Sequence, residues 1–147
     1  MSAVLASEYR MSFVYEATLP RLDGGLQRQA SAFYAEHRAL MARWEELAAA
    51  HCLDLPLRQP AYPLPGDVVA EPRQALAAAE ADAARALGDL VAFGDDGLQQ
   101  AAAAELAGSA VRLAVLAGEP ALTPGLEAAE GGPGPTAAAK ASGWALP

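Results

Sequence analysis

A run of prolines in the middle of the chain, Pro56, Pro60, Pro63, Pro65 and Pro72, divides two pairs of helix-like stretches. Proline removes a backbone donor and pushes the residue before it out of the helical region, so the segment between is an extended connector. Before it, apolar residues recur at helical spacing over residues 3–19 and 26–52. After it they recur over 72–93 and 96–117. Ser2 is the expected N-cap of the first stretch, and Pro72 suits the first turn of the third. Pro20 with Gly24-Gly25 breaks the first pair. Gly94-Asp95-Asp96-Gly97 breaks the second, with an Asp placed to cap the fourth helix. Runs of alternating apolar and polar residues rich in β-branched side chains are missing, so no strands are expected.

Links this short make each pair an antiparallel hairpin, and the connector is long enough to cross the length of a bundle. The expected fold is all-α: a ferritin-like four-helix bundle of two hairpins joined by a proline-rich crossover. At 147 residues there is material for a single core. Residues 1–126 are assigned to the bundle. Residues 127–147, where Gly, Pro and Ala dominate, are assigned to a flexible tail. That tail ends in Gly143-Trp144-Ala145-Leu146-Pro147, an apolar segment that could dock on a partner through Trp144.

The apolar stripes carry ionisable residues, and this localises any function. Glu8 sits among Val4, Leu5, Tyr15 and Leu19. His37 lies one turn from Phe33, Leu40 and Met41. Glu80 falls beside Leu87 and Val91. On the fourth stretch Arg112 and Glu105 border the stripe of Leu98, Leu106, Leu113 and Leu116, which Ser109 interrupts. A charge facing a core needs a partner or a metal. Glu8 lies 11 residues before Leu19 and His37 lies 11 after Leu26, so both sit about 16 Å from the same turn and are level. Glu80 and Arg112 are level by the same reasoning. Two readings follow. Glu8, His37, Glu80 and Arg112 form a buried salt-bridge cluster, or Glu8, His37 and Glu80 ligate a single divalent metal or iron.

Net charge of −8 excludes a general nucleic-acid or anionic-membrane surface. No apolar span reaches the length of a membrane helix, and no secretory leader is visible at the N-terminus. The single cysteine, Cys52, allows no internal disulfide and suits a reducing compartment. The cytoplasm is the expected location. His51 is expected to cap the end of the second helix.

From about residue 4 to 126 the chain resembles uncharacterised bacterial ferritin-like proteins assigned to a domain of unknown function. The segments that carry the likeness are SEYRMSFVYEA, EHRALMARWEELAAA, AYPLPGDVVAEPRQALAAAEADAARALGDLVA and AVRLAVLAG followed by PGL. The resemblance implies a four-helix bundle. Ferritin-like carboxylate proteins set one Glu on each of two helices and Glu-x-x-His on each of the other two. Glu8 and Glu80 match the single glutamates and His37 matches one histidine. Tyr34 stands where the second helix needs Glu, and Gly108 stands three residues after Glu105 where the fourth needs His. A complete di-iron centre is therefore not expected. The expected function is that of a non-catalytic bundle with a degenerate polar centre, acting through protein contacts and often as a dimer. An outer strip of Ala104, Val111 and Val115 offers a dimer face. The alternative is a metal-dependent oxidase or metal-storage protein with an incomplete or dimer-completed site.

Overall fold

Alanine, leucine, glutamate and arginine dominate the stretches flanking the connector, and these are the residues that lose least on entering a helix. The computed structural model describes residues 1–118, and among them the chain is all-helical. The helices are α1 (Ser2–Thr18), α2 (Gly24–Ala50), α3 (Pro72–Phe93) and α4 (Asp96–Ala117), with a 3₁₀ turn at Leu19–Arg21. The last 29 residues, including Trp144, lie outside the described residues.

Two helix starts differ from the sequence reading. Ser2 is inside α1, not its cap, because Met1 takes the cap position without a side-chain bond. α2 begins at Gly24, earlier than the apolar pattern indicates. Asp23 precedes it in extended conformation, and Gly24 takes φ +54°, which glycine adopts without strain. α3 starts on Pro72 as expected. α4 is capped by Asp95, whose carboxylate accepts from the backbone N–H of Leu98, and ends on left-handed Gly118.

The core has two apolar clusters. One joins Val4, Leu5 and Tyr9 of α1 to Trp44 and Ala48 of α2, Leu87 and Leu90 of α3, and Leu98 and Ala102 of α4. The other joins Met11, Val14 and Tyr15 to Ala30, Leu76, Ala79, Ala83 and Leu116. The start of α1 thus meets the ends of α2 and α3 and the start of α4. α1 packs on α2 and α3, and α3 packs on α4, while α2 and α4 approach each other little.

That sparse side changes the expected stripe of α2. Of Leu26, Phe33, Leu40, Met41, Trp44 and Leu47, only Trp44 is buried; the others are half-buried. The buried residues of α2 are Ala30, His37, Trp44 and Ala48. The first three are seven residues apart, a narrow seam facing α1. The connector folds back on the first hairpin. Arg10 Nε donates to the Pro63 carbonyl at 3.2 Å, and Arg58 reaches Glu45 at 2.6 Å.

Candidate functional site

Between the two apolar clusters lies one charged layer to which all four helices contribute. The His37 ring bridges two carboxylates: Nδ1 is 2.8 Å from Glu8 Oε2, and Nε2 is 2.8 Å from Glu80 Oε1. All three side chains are within 2% of full burial. The Tyr15 hydroxyl donates to Glu80 Oε1 at 2.8 Å, and Arg112 Nε donates to Glu80 Oε2 at 3.2 Å. Arg112 continues outward, through Nη2 to Glu105 Oε1 at 2.8 Å and Nη1 to Glu36 Oε2 at 3.4 Å. Every sequence-predicted site residue, Glu8, His37, Glu80 and Arg112, is therefore in one contiguous network. The short turns put each pair level; the docking of α1 on α3 puts the two pairs in the same layer.

Burial taken alone would lower the pKa of His37, but hydrogen bonds and charge from Glu8 and Glu80 outweigh it and push it up to about 9. At neutral pH the ring is an imidazolium donating from both nitrogens. Burial would raise the Glu80 carboxyl, yet His37, Arg112 and Tyr15 hold it below the usual carboxylate range. Burial and the Glu80 charge together push the Tyr15 hydroxyl up, so it stays a neutral donor. Arg112 keeps its charge: burial opposes it, and Glu80 and Glu105 more than compensate. The two buried cations, His37 and Arg112, thus find their partners within the bundle, in the carboxyl groups of Glu8, Glu80, Glu105 and Glu36.

Three members were not singled out as partners from the sequence. Tyr15 looks like a core aromatic and is one; its hydroxyl is also a donor, and its ring lies 5.5 Å from that of His37. Glu105 precedes Arg112 by seven residues, two turns on the same face, which is a readable signal. Glu36 neighbours His37 in sequence but points to the α2/α4 side. There, Glu36, Leu40, Arg43, Ala104, Glu105 and Arg112 line an open groove of about 380 Å³. A Cβ at Gly108 would come within 3.2 Å of Arg112 Nη1 and 3.3 Å of Glu105 Oε1. Gly108, standing where a di-iron motif needs His, gives the guanidinium room to lie along α4.

The donor set fits a di-iron centre poorly. Both His37 nitrogens are engaged by carboxylates, and a guanidinium sits on Glu80. Among the described residues no group of three His, Cys, Asp or Glu side chains is arranged to hold a metal ion. His51 stands at the C-cap of α2, where its backbone N–H donates to the Leu47 carbonyl at 3.1 Å, and its ring Nδ1 lies 3.3 Å from Asp95 Oδ2, tying the end of α2 to the α3–α4 turn. Cys52 is exposed and takes φ +52°. The strip on α4 is open, with Val111 61% exposed. Among the described residues no helix is long and apolar enough to cross a membrane.

Fold and site together define an all-α bundle with a buried, internally paired charge layer. Residues 1–128 match the family described as Domain of unknown function (DUF4439), and the chain belongs to it. No curated protein and no solved structure matches the chain.

Proposed function

We propose that this chain is a ferritin-like bundle whose charge layer replaces a metal centre, and that it works through protein contacts, not catalysis. The observation that carries this reading is the double engagement of His37. An imidazole bound by carboxylates at both nitrogens offers no lone pair to a metal, and Arg112 opposes a cation at Glu80. A ferritin-like plan is supported by the packing. The end of α2 and the start of α3 belong to opposite clusters, which supports a connector that crosses the bundle. Protein contact is supported by the side that the fold leaves uncovered, where Leu26, Phe33, Leu40 and Leu47 of α2 are half-buried and Val111 of α4 is exposed. The partner is a second copy or another protein, in the cytoplasm.

The test is metal content and mass of untagged protein. Less than about a tenth of a metal ion per chain is expected, with a melting temperature indifferent to chelator, and a mass above that of the monomer. One equivalent of divalent metal, with a melting temperature that falls on chelation, would overturn this reading in favour of a metal-dependent oxidase or storage protein using Glu8, His37 and Glu80.

A further inference from the structure

Along α2, Leu26, Phe33, Leu40 and Leu47 recur every seven residues, and all four are half-buried. A seven-residue period keeps one line of side chains running along a helix, as in the seam of a coiled coil. The companion line, Ala30, His37 and Trp44, is buried. Leu40, at the middle of the uncovered line, lines the open groove between α2 and α4. The α4 wall of that groove is low there, because Ala104 and Gly108 form it.

Two exposed charges flank Leu40 at the groove, Glu36 one turn before it and Arg43 one turn after. Glu36 approaches Arg112 only to 3.4 Å, and its side chain is half exposed. No carboxylate pairs with Arg43 among the described residues, although it stands on the groove. Both patterns are symmetric about one point. Phe33 and Leu47 are equidistant from Leu40, and Glu36 and Arg43 are equidistant from the bond joining Ala39 to Leu40. Two α2 helices packed antiparallel about a two-fold axis at that point lay Leu40 on Leu40 and Phe33 on Leu47. They also set each Glu36 opposite an Arg43, all within about 1.5 Å of level. Ala32 and Ala39, exposed beside the line, leave room for close approach.

We propose that a second copy of this chain docks here, α2 against α2 and antiparallel, with Glu36 and Arg43 paired reciprocally across the axis. This names the partner and the surface for the protein contacts proposed above, and rests on that reading. Any other partner has to bring its own matching apolar line and an acid for Arg43. A second copy already carries both, in the right order and spacing.

Sedimentation equilibrium of the full-length protein tests this. Wild type should dimerise with a Kd below about 10 μM. Arg43→Glu and Glu36→Lys, each alone, set like charges opposite one another twice per dimer. Each should raise Kd at least about thirtyfold. An equimolar mixture of the two should recover a dimer of wild-type Kd, because every contact then joins opposite charges again. Chains that had merely failed to fold could not recover in this way. A monomeric wild type would overturn the proposal. So would a dimer whose Kd neither substitution changes, which would leave protein contact standing through another face. So would a mixture that stays monomeric, which would assign the losses to each chain alone.

Discussion

One turn of α1 separates two buried polar groups with opposite fates. Glu8 is answered by His37, which is answered by Glu80, which is answered by Tyr15 and Arg112. Ser12 is answered by nothing. The difference comes from what covers each. Glu8 faces the other helices, whose side chains are held in register by short turns and can be matched to it. Ser12 lies beside the connector, an extended segment whose Arg58 reaches Glu45 and whose Tyr62 hydroxyl accepts from the Gln59 backbone. A network closed within the bundle secures the fold. An unpaired buried hydroxyl adds nothing to it.

The comparison breaks first at Glu80. Its loss strands an imidazolium on one side and a guanidinium and a hydroxyl on the others. Glu80→Ala should cost about 3–5 kcal/mol, the scale for removing one partner of a buried ion pair. Chemical denaturation measures it, and a midpoint within experimental error of wild type would mean that the layer contributes nothing.

The next effect is in pH. The folded pKa of His37 is raised to about 9 from 6.5. Its stabilisation is therefore complete below pH 6.5 and is lost as pH climbs through about 9, amounting to ~3 kcal/mol. Glu80, held low, contributes above the ordinary carboxylate pKa and loses that contribution as pH falls beneath it. The stability maximum should fall between those limits, in mildly acidic solution. Unfolding midpoints across pH 4–10 trace the curve, and a profile flat from pH 6 to 10 would show that the ring is not charged in the fold.

The smallest effect belongs to Ser12. Ser12→Ala removes a hydroxyl with no partner, so stability should stay within about 0.5 kcal/mol of wild type or rise. A loss above about 1 kcal/mol would mean that the hydroxyl is paired in solution, and the contrast with Glu8 would shrink.

The charged layer was largely legible in the sequence because helical periodicity places side chains by spacing alone, wherever the helix ends fall. Glu8 and His37 are equidistant from one short turn, and Glu80 and Arg112 are nearly so from the other. What spacing does not hold is the docking of one hairpin on the other, and this docking brings His37 Nε2 to Glu80. Nor does it show that α2 packs mainly on α1, which leaves Leu40 and Leu47 half-covered and turns Glu36 toward Arg112. The cleft under the connector was not legible at all. It depends on where an extended, proline-rich segment lays Arg58 and Tyr62, and no periodicity encodes that. The dual role of Tyr15 was hidden for a related reason: a tyrosine reads as apolar in a stripe, while the acceptor for its hydroxyl lies 65 residues away.

The protonation of His37 tests the charged centre most directly. Long-range ¹H–¹⁵N spectra of the ring, followed with pH, report each nitrogen separately. Both nitrogens should carry protons at neutral pH, with the transition centred near 9. A ring that is singly protonated at neutral pH, or that titrates at or below its ordinary value of 6.5, would contradict an internally paired layer and leave a bare nitrogen free to ligate a metal.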